Sequence, residues 1–139
     1  MTGYSGTPLP RKLGIKEGHM VALRSAPHGF DATLGELPDG VSIRHRVQGR
    51  NDVIVAFFDR ASELHHRFDG LTAALDPDGG LWIAWPKKAS GVPTDVTDSV
   101  VRDLALERGL VDNKVCAIDE TWSGLRLVYR VTDRAALRR

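Results

Sequence analysis

The sequence has few features, other than a hydrophobic core, that could stabilise a fold. It contains one cysteine, Cys116, so an intrachain disulfide and a cluster of thiolate metal ligands are both excluded. No apolar run approaches the roughly 20 residues that span a bilayer, and the first residues lack the apolar centre of a secretion signal. We therefore predict a cytoplasmic protein that makes no contact with a membrane.

The chain also lacks an excess of charge of either sign. Its 19 basic and 18 acidic residues leave a formal net charge of +1, which provides no overall field to hold a polyanion. Nucleic-acid binding is therefore not expected. Weak binding of a nucleic acid would depend on Arg44, Arg46, Arg50 and the basic tail. The length of 139 residues and the apolar fraction of 42% are those of one ordinary globular domain, 1–139.

The hydrophobic pattern alternates between the period of strands and that of helices. "NDVIVAFFD" is a continuous apolar run typical of a central parallel strand, whereas "RASELHHRFDGLTAAL" has the spacing of an amphipathic helix. In chain order we predict a flexible arm at 1–10, a helical turn within 9–18, strands at 19–24, 41–47 and 51–59, a helix at 60–75, a turn at 76–80, a strand at 81–85, a helix at 94–110, a hairpin at 113–131 with its turn at 120–124, and a frayed basic tail at 132–139.

This order of elements predicts an α/β fold. The expected architecture is a mostly parallel, three-layer Rossmann-like sheet with right-handed crossovers and a C-terminal antiparallel hairpin. A Rossmann-like sheet that closes in an antiparallel pair resembles the S-adenosylmethionine methyltransferase fold, here truncated by at least one helix and strand near the front. A fold alone does not define a function, so this resemblance predicts the architecture only.

The chain resembles one protein family over nearly its whole length, and three stretches carry the resemblance. They are "GYSGTPL", "WPKKASGVPTD" and "VDNKVCAIDETWSGLRLV". Through them the sequence resembles domain of unknown function 3052, a family of small, mainly actinobacterial proteins. The resemblance implies no chemistry and supplies no catalytic residue.

The candidate site follows from the rule that ligands of an open α/β sheet bind beyond the carboxyl ends of its parallel strands. Lys87 and Lys88 come after a strand and before a helix, where lysine charge and free backbone N–H groups can hold a carboxylate or phosphate. The neighbouring residues at the predicted edge complete a candidate ligand-binding set: His28, Trp85, Ser90, Glu120 and Trp122. Each also has a structural interpretation, as a solvated loop residue, a turn residue or a core ring.

The features that hold a dinucleotide or S-adenosylmethionine are weak. The loop after the first strand has one glycine, Gly29, and the second strand ends in "RVQGR" without a carboxylate, so we predict no cofactor. Metal binding is not expected either, because His65 and His66 are adjacent in a helix and their side chains diverge.

Two functions remain open at the same sheet edge. The first is a non-catalytic binding or regulatory protein that holds a small anionic ligand or a protein partner. The alternative is a small-molecule enzyme, including a divergent methyltransferase-like transferase, in which His28 or Glu120 moves a proton and Lys87 or Lys88 binds an anion. The sequence determines neither the ligand nor the oligomeric state.

Overall fold

The structure is a computed structural model that describes residues 6–138. Within this range the chain forms six strands and five α-helices. The strands are β1 Met20–Arg24, β2 Ser42–Arg44, β3 Asn51–Phe57, β4 Leu75–Pro86, β5 Leu110–Ala117 and β6 Trp122–Tyr129. The helices are α1 Leu9–Lys12, α2 Phe30–Leu34, α3 Ala61–Ala73, α4 Asp98–Glu107 and α5 Val131–Leu137, with a 3₁₀ turn at Lys88–Ser90.

One sheet contains all six strands in the order β2-β1-β3-β4-β6-β5. The first four strands of this order pair in parallel, β6 pairs antiparallel with β4, and β5 pairs antiparallel with β6. The structure therefore confirms the predicted α/β class with its mostly parallel sheet and its C-terminal antiparallel hairpin. It also confirms β2 as an edge strand and β3 and β4 as central strands.

The sheet separates two hydrophobic cores, because successive side chains of a strand point to opposite faces. Ile54 and Ala56 of β3 pack with α3 and α4, whereas Val55 and Phe57 pack on the other face with Leu13. Both faces of β3 are covered, which explains why its sequence is continuously apolar rather than alternating.

Helix α4 begins later than the sequence pattern predicts. Its first residue is Asp98, and Thr97 is the N-cap, whose hydroxyl accepts a hydrogen bond from the Val100 N–H at 3.2 Å. Thr94 instead donates its hydroxyl to the Asp59 carbonyl at 2.8 Å and ties the preceding loop to the end of β3. The predicted start at Thr94 was wrong because a threonine can cap a helix at either position, Thr94 or Thr97, and the sequence does not distinguish the two.

The predicted turn at 76–80 lies within β4. The register passes from Leu75 opposite Asn51 to Gly80 opposite Val53, so β4 carries extra residues at this point and bulges. A Cβ atom on Gly79 would lie 2.6 Å from the Asp52 carbonyl oxygen, which explains the glycine. The pattern "DPDGG" indicated a break in the chain direction, but pairing with β3 holds the segment in the sheet.

The ends of the chain and the hairpin turn also differ from the prediction. Residues 132–137 are helical in α5 rather than frayed, and the helix is held by Arg134, whose Nε donates to the Tyr129 carbonyl at 3.1 Å. The hairpin turn spans 118–121, so Trp122 is the first residue of β6 rather than a turn residue. Of the predicted arm at 1–10, residues 1–5 lie outside the described part, and Pro10 is buried in α1.

Candidate functional site

A groove of about 360 Å³ lies at the carboxyl ends of β1 and β3, which we call the carboxyl-edge groove. The residues that form most of its walls are Arg24, Phe57, Phe58, Arg60, Glu63 and Trp122. β1 and β3 are adjacent in the sheet, and the connections that leave them lead to α2 and α3. The groove therefore occupies the position where open α/β sheets bind ligands.

Arg24, the last residue of β1, lies across the end of β3. Its Nη1 donates to the Phe57 carbonyl at 3.1 Å, and its Nη2 donates to Glu63 Oε2 at 2.9 Å. The guanidinium carbon lies 4.3 Å from the centre of the Phe58 ring, a cation–π distance. Three contacts thus fix the Arg24 guanidinium as part of the groove wall.

The charge state of this wall follows from its contacts. The hydrogen bond from Arg67 lowers the pKa of Glu63, and the charges of Arg67 and Arg24 act in the same direction. Burial lowers the pKa of Arg24, and the Glu63 charge opposes that effect. Glu63 is therefore an ionised structural carboxylate with a lowered proton affinity, which makes it a poor general base.

The backbone is unusual directly after β1. Ser25 has φ +54°, the one positive value at a residue other than glycine among residues 6–138. Such a conformation costs about 1 kcal/mol or more and persists where the surroundings impose it. Ser25 is also one of the residues that line the groove.

Aromatic rings form the opposite part of the groove. Trp122 is half-buried, and its ring meets the Phe57 ring edge to face with centroids 5.1 Å apart. Phe57 in turn meets Phe30 of α2 at the same centroid distance. Two buried rings thus support the partly exposed indole of Trp122, which gives the groove a rigid flat surface.

The structure gives the predicted residue Lys87 a clear structural role. Its Nζ donates to the Asp119 carbonyl at 2.7 Å, and its backbone N–H donates to the Thr121 carbonyl at 2.8 Å. Both acceptors belong to the turn between β5 and β6. Lys87 thus anchors the end of β4 to the hairpin turn.

Ser90 closes the turn that follows. Its hydroxyl donates to the Lys87 carbonyl at 2.6 Å and accepts from the Val92 N–H at 3.2 Å. His28, Lys88 and Glu120 have exposed side chains without a hydrogen bond or ion pair to any residue of 6–138. They are surface residues outside the walls of the groove.

The two strand tryptophans of β4 lie in opposite cores, as the sequence predicts for residues three positions apart. Trp82 donates its Nε1–H to the Leu13 carbonyl at 2.9 Å, whereas Trp85 is 8% exposed in the core that faces α3 and α4. Trp85 is therefore a core residue and does not reach the sheet edge. Of the seven predicted site residues, only Trp122 lines the groove.

Sequence reasoning placed Arg24 and Arg60 at strand ends but did not select them. The sequence signal was their position after apolar runs, which the carboxyl-end rule singles out. What the sequence could not show is the pairing of Arg24 with Glu63 across 39 residues.

The described part of the chain has neither a cluster of metal ligands nor a membrane-spanning helix. Residues 6–138 contain no group of three or more metal-ligating side chains that could hold an ion. Over the same residues no helix is both long and apolar enough to cross a bilayer.

Comparisons with known proteins concern the fold. No protein-family model matches the sequence, and no curated protein matches it significantly. The structure is similar to an S-adenosylmethionine-dependent methyltransferase from Aquifex aeolicus, with a TM-score of 0.60 and 18% identity over 84% of this chain and 85% of that one. It is also similar to DhpI in complex with S-adenosylhomocysteine, with a TM-score of 0.61 and 10% identity over 89% and 83% of the two chains. For the B. subtilis tRNA methyltransferase TrmK the TM-score is 0.57, with 12% identity over 95% and 69%. The chain thus has a methyltransferase-like fold.

Proposed function

We propose that this protein is a non-catalytic binding protein, which holds a small anionic ligand with a flat ring in the carboxyl-edge groove. The observation that carries the proposal is the combination of two groups at the groove. The Arg60 guanidinium is exposed and forms no ion pair or hydrogen bond with residues 6–138, and the Trp122 ring is partly exposed beside it. A cation and a supported ring suit an anionic aromatic ligand.

Helix α3 begins beside the groove but does not supply the attraction for an anion. It begins at Ala61, directly after Arg60, and the side chain of Arg60 does not cap it. The Ala61 N–H donates to the Asp95 carboxylate at 2.7 Å, so this helix end already holds an anionic group that offsets its partial positive charge. The Arg60 guanidinium is therefore the cation on which the proposal depends.

S-adenosylmethionine, which the fold implies, does not fit the usual positions for this cofactor. β1 ends in Arg24 and the loop after it begins with Ser25, where glycines would let the backbone approach a ligand. The Arg24 side chain is fixed across the end of β3 by Phe57 and Glu63. Beyond β2 the chain continues with His45 and Arg46, which supply no carboxylate for ribose hydroxyls. The residues at these positions therefore do not fit S-adenosylmethionine.

Binding is tested by titration with adenosine monophosphate as the probe, followed by tryptophan fluorescence. Trp82 and Trp85 are buried, so a ligand in the groove acts on the emission of Trp122. We expect saturable quenching that Arg60→Gln weakens by about tenfold, the loss of one charge-assisted contact. Lys88→Gln is the matched control, because it removes an exposed cation outside the groove and should leave the titration unchanged. If Arg60→Gln also left it unchanged, the groove would not be the binding site.

A second candidate is a divergent transferase, and it is favoured by the fold similarity to methyltransferases alone. It predicts that S-adenosylmethionine raises the melting temperature of the wild-type protein, since a ligand of the native state stabilises it. The binding-protein proposal predicts no such rise. Membership of domain of unknown function 3052 and a cytoplasmic location remain predictions, the latter from the single cysteine.

A further inference from the structure

Arg126 is an unusual cation in the interior of the sheet. It lies in the middle of β6, opposite Trp82 of β4 and Lys114 of β5. Its Nε atom is shielded from solvent and has no hydrogen-bond partner among residues 6–138. Its one hydrogen bond to residues 6–138 is long, from Nη1 to Asn113 Oδ1 at 3.4 Å, and no described carboxylate forms an ion pair with it. A half-buried charge without a counter-ion is costly, so this arrangement favours the binding of an anion.

One glycine makes room for the Arg126 side chain. A Cβ atom on Gly80 would overlap Arg126 Nε, whereas one on Gly14 would make only an ordinary contact with that atom at 3.9 Å. The guanidinium therefore lies directly against the backbone of β4. This contact accounts for the second glycine of the "DPDGG" bulge, which the proposed function does not explain.

Arg126 lines a cavity of about 490 Å³ that we call the amino-edge cavity. The cavity lies at the opposite end of the parallel strands from the carboxyl-edge groove, beside the beginnings of β3 and β4. Three lysines also line it: Lys12, Lys16 and Lys114. Lys114 Nζ donates one hydrogen bond, to the Lys12 carbonyl at 2.9 Å, and an ammonium group keeps two further donors for a ligand.

Three carboxylates also line the amino-edge cavity, but each already has a partner other than Arg126. Asp52 accepts from the Met20 N–H at 2.8 Å, Asp76 lies 3.9 Å from Arg50, and Asp78 lies 2.5 Å from Arg138. These carboxylates leave Arg126 without a direct counter-ion, and they repel an extended polyanion. The cavity therefore favours one small anionic group over a nucleic-acid strand.

We propose that the amino-edge cavity is a second ligand site, which binds a phosphate group through Arg126 and Lys114. A guanidinium presents several N–H donors in a geometry that matches phosphate oxygens, and an ammonium adds a point charge. The phosphate is either the free ion or part of a phosphorylated small molecule. The site is independent of the carboxyl-edge groove and of any ligand there.

The test is a titration of the wild-type protein with sodium phosphate and, separately, with glucose 6-phosphate at pH 8, with sodium chloride keeping the ionic strength constant. Melting temperature and backbone amide NMR shifts are followed together. We expect saturable stabilisation and shifts at Gly14, Gly80 and Asn113. Tighter binding of glucose 6-phosphate assigns the site to phosphorylated small molecules, and equal or weaker binding assigns it to the free ion. Stabilisation without saturation, or without shifts at these amides, overturns the proposal.

Variants separate this site from the groove. Arg126→Met should weaken phosphate binding at least about tenfold, because a charge-assisted contact is lost. Lys114→Met, a change at an exposed side chain, should weaken it several-fold and serves if Arg126→Met does not fold. Arg60→Gln is the control and should bind phosphate at the amino-edge cavity as the wild type does. Equal phosphate affinity of wild type and Lys114→Met, with unchanged amide shifts, would refute the assignment of these residues.

Discussion

Replacement of Lys87 by methionine tests whether this lysine stabilises the hairpin turn or is available to bind a ligand. The substitution keeps the four-atom apolar stem of the side chain but removes Nζ and its hydrogen bond to the Asp119 carbonyl, at 2.7 Å. A hydrogen bond that involves a charged group contributes about 1.5 to 3 kcal/mol, and Lys87 is only partly buried, so we expect a loss of about 1.5 kcal/mol. For a chain of this length the melting temperature changes by about 3 to 4 °C per kcal/mol, which predicts a fall of about 5 °C.

Urea unfolding followed by tryptophan fluorescence measures this loss. Lys88→Met is the matched control, since the side chain of the neighbouring lysine is exposed and forms no hydrogen bond or ion pair with residues 6–138. We expect Lys88→Met to change the free energy of unfolding by less than about 0.5 kcal/mol. If Lys87→Met and Lys88→Met had the same free energy of unfolding, the Lys87 contact would not stabilise the turn. An unchanged m-value is required for the comparison, because a changed slope reports a different unfolded state.

Two further predictions concern stability. Gly70→Ala should stabilise the protein by about 1 kcal/mol, because Gly70 lies within α3 with open space around it. Gly79→Ala should destabilise the protein by about 1 to 3 kcal/mol, because the new Cβ would lie 2.6 Å from the Asp52 carbonyl oxygen. Urea midpoints measure both, and equal signs would contradict the packing argument. Burial raises the pKa of Tyr129 above its ordinary value of 10.0, so the folded state keeps this proton longer than the unfolded state does. Stability should therefore be complete below pH 10 and fall above it, and the fall should be smaller in Tyr129→Phe; identical urea midpoints across pH 9 to 11 in both proteins would refute this.

Long, regular segments were predictable because their burial determines their hydrophobic period. The apolar run of β3 and the helical spacing of Leu64, Phe68 and Leu71 in α3 predicted their elements and their places in the core. The short helix α5 was not predictable, since seven residues carry little periodic signal. Its end is held by the ion pair between Arg138 and Asp78, which lie 60 positions apart in the chain.

Of the candidate site, the sequence indicated the edge but not the side chains that form it. Position after a strand is local information, and it drew attention to the ends of β1, β3 and β4, of which the ends of β1 and β3 line the carboxyl-edge groove. The direction of a side chain depends on its place in the strand and on what packs against it. Trp85 is still inside the last buried part of β4, whereas Trp122 starts β6 at the edge beside Phe57.

The sequence by itself determined the α/β class, the central strands, the two long helices and the absence of an intrachain disulfide, because these depend on composition and on local period. Tertiary structure decided which cations are free to meet a ligand. Among residues 6–138, Lys87 bonds the hairpin turn, Arg24 is paired with Glu63, and Arg126 is half-buried with no carboxylate paired to it. The physical reason is that the partners of Lys87 and Arg24 lie 32 and 39 positions away in the chain, so the folded sheet decides which charges meet a partner.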